Sequence, residues 1–141
     1  MLKKLGFVDL ISAVQNRIEQ NTGVRCYDAI PKNAPTPLYF VEVTGKRPAD
    51  TKTMFCEVFT VWVHAIAAPE ENGGSVGIYN LIERLEEGMT EDIALPEPFN
   101  LMLQSNIGVQ TIKLDETNEK HAVLAYEFKI SYGFKVKGVM I

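Results

Sequence analysis

The side chains able to do chemistry in this sequence are few. Glu42 and Glu57 face each other across a hairpin if its turn is centred near Ala49. Paired carboxylates can divide acid and base work, although most carboxylates at such positions are solvated charges on a sheet face. His64 lies two residues from Trp62 and reads as a packed or interfacial imidazole rather than a base. Residues 73–77, GGSVG, lie between a strand and a helix, where a glycine-rich turn can cradle a phosphate. No Lys-Ser/Thr pair follows, and Glu70 and Glu71 upstream would repel an anion, so the segment reads as a connection and helix cap. Cys26 and Cys56 are far apart in strand-like segments and read as buried thiols. With His64 and His121 they form neither a CxxC nor an HxxxH spacing, so no zinc pattern exists. The expectation is a protein with no catalytic residue, no metal and no cofactor.

The elements that must hold these residues are legible from periodicity. The chain has 141 residues, 46% apolar and 23% charged, values that fit one globular domain spanning 1–141. Phe7, Leu10, Ile11, Val14 and Ile18 recur at helical spacing and predict a helix over 6–21, with Gly23 as its C-terminal cap. Residues 24–30, 38–44 and 53–65 read as strands, with a polar connection over 45–50. Ser75 can cap a second helix over 76–89, with Tyr79, Ile82 and Leu85 on one face. Residues 99–104 and 109–114 read as two further strands, and 115–120 as a charged turn. From Ala122 to Phe134 apolar residues alternate with mostly polar ones, the mark of a half-buried antiparallel strand, with Gly133 as a bend or bulge.

Runs of strands separated by single helices predict an α+β fold: an antiparallel or mixed β-sheet of five to six strands with two helices packed on one face. Two helices of about 10 Å diameter cover one face of such a sheet and no more. Yet the 53–65 strand is apolar on both sides, with Phe55, Phe59, Val61 and Val63 on one and Cys56, Val58 and Trp62 on the other. A contiguous apolar face of this kind marks an interface, so copies of the chain are expected to associate. No secretory leader is read at the N-terminus, and the longest apolar stretch, 54–68, contains Glu57 and His64 and is too short for a membrane helix. The reducing cytoplasm is the default compartment.

The net charge of −4 argues against a dedicated nucleic-acid binder. It is unevenly spread. Residues 69–119 hold eleven acids and two bases, a local charge of −9, and the remainder carries +5. Such polarity lets an acidic surface meet a neighbour's basic one, and head-to-tail pairing with rotation closes a ring.

Three segments carry a family resemblance. Residues 24–31, VRCYDAIP, are similar to a V-Y-D-x-x-P segment. Residues 37–43, PLYFVEV, are like a P-Y-V segment, and 121–128, HAVLAYEF, resemble a D-G-x-x-H-G-x-L-x-F close. Together with the element order these resemble the small tail-completion proteins of long-tailed bacteriophages, the tail terminators and tail-to-head joining proteins. Ala122 stands where that family more often has glycine, and Glu119 where a basic residue is expected. The resemblance implies a non-enzymatic virion protein of the tail, assembled in the host cytoplasm. It implies a homo-oligomeric ring, typically a hexamer, that caps the tail tube protein and meets the head-tail connector protein. DNA passes through its lumen without specific binding, and no membrane is involved. From surface logic, Lys46, Arg47 and Lys52 in the 45–53 loop, and the 115–120 turn, are expected to touch tube or connector. Ring contact is expected on Phe55, Phe59, Val61 and Val63 and on Glu83, Glu86 and Glu87 of the second helix. The competing readings are a small homodimeric α+β binding module with a groove on the open sheet face, and an enzyme using Glu42, Glu57 or His64.

Overall fold

The computed structural model describes residues 1–114 and 119–135. The helical apolar spacing produces α1 (Phe7–Thr22), which buries Leu10, Ala13, Val14 and Ile18. Gly23 ends it. Its φ of 72° is left-handed and its N–H donates to the Glu19 carbonyl, a cap that glycine makes without steric cost. The two-residue β1 (Cys26–Tyr27) follows, then β2 (Leu38–Pro48), β3 (Met54–Ala67), α2 (Val76–Gly88), β4 (Asn100–Leu114) and β5 (Lys120–Phe134).

The five strands form one mixed sheet in the order β1-β2-β3-β5-β4. Only the β1–β2 pair is parallel, and the other neighbours are antiparallel. The α+β class, the five strands and the two helices agree with the sequence reading. β5, the strand with the cleanest alternation, lies between β3 and β4. Its even-numbered residues Ala122, Leu124, Tyr126, Phe128 and Ile130 enter the same core as Phe59, Val61, Val63 and Ala65 of β3. Both helices close that core from one side. α1 and α2 approach tightly at Gly88, where a Cβ would lie 3.1 Å from Asn21 Cβ. The Asn21 amide donates to the Gly88 carbonyl at 2.8 Å, and Arg17 donates to the Asp92 carbonyl at 2.8 Å.

Two buried tyrosines differ in how they satisfy their hydroxyls. Tyr39 of β2 donates to the Leu81 carbonyl of α2 at 2.6 Å. Tyr126, 1% exposed, meets no hydrogen-bond partner among the described residues. Burial pushes both phenols well above the usual tyrosine range. A buried hydroxyl without a partner contributes desolvation cost and no bond. Tyr126→Phe is therefore expected to leave stability within about 1 kcal/mol of the parent or to raise it, while Tyr39→Phe lowers it; urea unfolding of the two variants checks the contrast.

Several local expectations are corrected. β1 is two residues long, not seven, because β2 offers it only Tyr39 and Phe40. β2 continues to Pro48, so the connection is 49–53 and Lys46 and Arg47 are strand residues rather than loop residues. The two expected strands over 99–114 are the single β4. Three bulges on it, each adding one residue relative to β5, absorb the break in pattern. α2 buries Ile78, Leu81, Ile82 and Leu85, which leaves Tyr79 45% exposed. Ser75 occupies the N-cap position but its side chain makes no cap bond. Of the charged turn, 115–118 lie outside the described residues.

Candidate functional site

The carboxylates expected to face each other do not. Glu42 stands opposite Trp62, and Glu57 opposite Pro48. The turn falls near residues 51–54, where Thr51 N–H donates to the Met54 carbonyl, and a bulge between Val43 and Gly45 shifts the register by one more residue. Glu57 lies on the helix side of β3 and is 5% exposed. It accepts a 2.7 Å hydrogen bond from the Tyr132 hydroxyl and pairs with Lys4 at 3.5 Å and Lys46 at 3.7 Å. Leu5 N–H donates to the same tyrosine oxygen at 3.3 Å. Burial and the bond to Glu57 push the Tyr132 phenol well up. This carboxylate is the centre of a structural knot, held away from substrate.

Glu42 belongs to a different group. Its Oε2 lies 2.6 Å from His64 Nε2, and His64 Nδ1 lies 2.9 Å from His121 Nε2. β3 and β5 bring this row together on the sheet face away from the helices, beside Trp62 and Phe40. His64 spends both ring nitrogens on neighbours, so it has no free base to offer, and no group of three or more ligating side chains able to hold a metal exists among the described residues. Burial first, then the adjacent His64 and Lys113, hold the His121 pKa below 6.5, with Glu119 opposing. A depressed folded-state pKa means that the unfolded chain binds the proton more readily. The stability contributed by neutral His121 is thus complete above pH 6.5 and is lost as the pH falls through the folded value. Urea unfolding between pH 8 and 5 should show this loss in the parent and a flatter profile in His121→Gln.

Residues 73–77 also match the G-x-S-x-G spacing of a nucleophile elbow. The surroundings do not support that chemistry. β3 ends at Ala67, well before the motif, and Ser75 simply precedes α2 on the helix side, whereas both histidines lie on the opposite face. Asn72 Oδ1 already accepts the Gly74 N–H at 2.9 Å, and Glu70 crowds the same position, so no anion cradle forms. Cys26 and Cys56 are free and buried, and burial pushes the Cys26 thiol up to about 12.

What remains is surface rather than chemistry. Trp62 is 38% exposed on the uncovered face. β4 is a fifteen-residue edge strand that exposes Met102, Leu103, Ile107, Val109, Ile112 and Leu114. Edge strands of this length and polarity are association surfaces. Sequence reasoning missed this edge; its signal was the single charge, Lys113, in fifteen residues.

A family model described as "Putative tail termination protein" matches residues 1–138. The chain belongs to this phage tail terminator family. Among solved structures, a chain from the "Virion of native gene transfer agent (GTA) particle" superposes with a TM-score of 0.64 at 16% identity, covering 88% of this chain and 96% of that one. That likeness shows a shared fold. No curated protein matches the sequence. The terminator family is one of structural tail proteins, in keeping with carboxylates and imidazoles that are occupied by one another.

Within this terminator fold the interface candidates separate. Phe59, Val61 and Val63 are 0% exposed in the protomer's own core. They cannot form a ring contact, because the odd-numbered residues of β3 face the helices. Phe55 is half-buried at the hairpin end, with Lys135 over its ring. Lys46 is folded inward over Phe7 and Phe59 and toward Glu57. Arg47 pairs with Glu127 at 3.2 Å on the uncovered face, and Lys52 is exposed in the connection. On α2, Glu83 and Glu87 are exposed, while Glu86 is half-buried and accepts from Asn106 of β4 at 3.5 Å.

Proposed function

We propose that copies of this chain close into a ring, hexameric as the resemblance implies, that caps the phage tail tube and meets the head-tail connector. The observation that carries this reading is a sheet covered by helices on one face only and bounded by an apolar edge strand, in a chain of the tail terminator family. A protomer of this shape leaves its apolar β4 edge, and Trp62 on the bare face, in water until copies cover them. The ring acts by occupying the tube end and presenting a new surface, with no bond made or broken. Net negative charge lets DNA pass the lumen without adhering, since phosphates meet few cations.

Lys52, exposed in the connection, and Arg47, exposed although paired with Glu127 at 3.2 Å, are assigned to tube or connector contact. Arg47→Glu with Lys52→Glu should reduce head-tail joining in a complementation assay by about tenfold or more, since reversed charge slows docking, with thermal unfolding unchanged. Lys46 is left intact because its charge serves Glu57. Native mass spectrometry and negative-stain microscopy of the parent should show rings; normal joining by the double variant would remove the contact assignment.

A further inference from the structure

The two outer edges of the sheet are unlike. β1 covers only Tyr39 and Phe40 of β2, so among the described residues no strand lies on the outer side of Val41–Pro48. Along that side runs a groove between β2 and α1. One cavity of about 290 Å³ is lined by Phe7, Val8, Ile11 and Val43 among others, and a second of about 310 Å³ continues past Thr44 and Gly45 to Lys46. The opposite edge, β4, is long, nearly uncharged and apolar.

We propose that the β2 edge and its groove receive strand β4 of a second copy, antiparallel, so that the sheets of neighbouring copies run on into one another. The proposal rests on the ring reading above and names its contact. Three observations select this occupant. The first is direction. β2, β3, β5 and β4 are successively antiparallel, so β4 runs opposite to β2, and a neighbour generated by rotation about an axis along the strands presents β4 antiparallel to the next β2. Rotation without a two-fold is what closes a ring.

The second is charge. Val43 pairs with Val61, Val61 with Tyr126 and Tyr126 with Asn106, so these residues share one height in the sheet. Glu86 abuts β4 at Asn106 on the helix side, and Lys46 lies just beyond Val43 on the same side of β2, over Phe7 and Phe59. Docking β4 on a neighbour's β2 brings Glu86 of α2 toward the Lys46 end of that edge, on the helix side of both sheets. The third is shape. The three bulges coil β4, and bulges are how a sheet acquires the curvature that closure requires. Pairing β4 with β4 about a two-fold would leave the groove and the basic edge unfilled, and pairing β2 with β2 would bring the Lys46 and Arg47 edge against itself.

Disulfide trapping tests this. Thr44→Cys marks the β2 edge and Ser105→Cys marks β4 at the matching height, with Leu103→Cys and Ile107→Cys covering a shifted register. Cys26 and Cys56, 3% and 1% exposed, stay out of the reaction. Under mild oxidation, a mixture of Thr44→Cys with one of the β4 variants should give a cross-linked dimer at ten or more times the yield of either variant alone, and Glu86→Lys in the β4 partner should reduce it. Rings in native mass spectrometry without any β2–β4 adduct would overturn the pairing and leave the ring reading standing. Adducts confined to β4 with β4 would overturn the pairing in favour of a two-fold dimer. Neither rings nor adducts, with the parent chain monomeric, would overturn both.

Discussion

Replacing Phe59 by alanine should lower the unfolding free energy by about 3–5 kcal/mol, as for other fully buried phenylalanines. The ring is 0% exposed, meets Phe7 edge-on at a centroid distance of 5.8 Å and lies under the Lys46 ammonium at 5.7 Å. Truncation removes apolar contact, leaves a cavity under α1 and takes away one of the two rings against which Lys46 rests. Urea unfolding at several protein concentrations measures it. A core residue gives the same loss at every concentration, whereas an interface residue gives a loss that depends on concentration by mass action. Concentration dependence, or a loss below about 1 kcal/mol, would return Phe59 to the interface. Val61 and Val63, equally buried, should follow Phe59 with smaller losses.

The second large effect is expected at Glu57. Removing one partner from a buried charge cluster costs about 3–5 kcal/mol when the remaining groups cannot regain water. Here Lys4 and Lys46 are partly exposed, with side-chain accessibilities of 54% and 33%, and can resolvate. Glu57→Ala should therefore fall below that range, at about 2–3 kcal/mol. The distinctive part is the coupling to Tyr132. A short bond from a hydroxyl to a carboxylate is worth about 1.5–3 kcal/mol. A double-mutant cycle of Glu57→Ala with Tyr132→Phe should recover a coupling of that size, and additivity would show that the 2.7 Å bond carries no net stability. The cluster also anchors the entry to α1 through Lys4 and the Leu5 amide. Hydrogen exchange at the start of that helix should accordingly quicken in Glu57→Ala.

Much of this fold could be read from local pattern, for identifiable reasons. α1 and its Gly23 cap depend on neighbours within one or two turns. β5 shows its alternation because its core residues fall on every second position without interruption from Ala122 to Ile130. β4 was misread because each bulge resets the alternation, so its apolar residues look like two short strands around a polar gap. The register of the β2–β3 hairpin was misplaced because composition indicates a turn without fixing where it centres, and an unseen bulge at Thr44 adds one residue. The side-chain groups were the least legible. Glu57 with Tyr132, and His64 with His121, are separated by 75 and 57 residues. Both meet only because β5 inserts between β3 and β4, a strand order that no local spacing encodes. Family resemblance reached the correct class because its motifs lie at strand starts and turns, where the shared architecture constrains residue type.

The placement of both helices on one side of the sheet gives the protomer an orientation that survives any assembly made by continuing the sheet. Every copy then turns its helices the same way and its bare strands the other, so the particle has two chemically separate walls. The Glu42–His64–His121 row, Trp62 and the Arg47–Glu127 pair belong to one wall, and Glu83 and Glu87 of α2 to the other. Selection can therefore retune what passes along one wall without disturbing what grips the other.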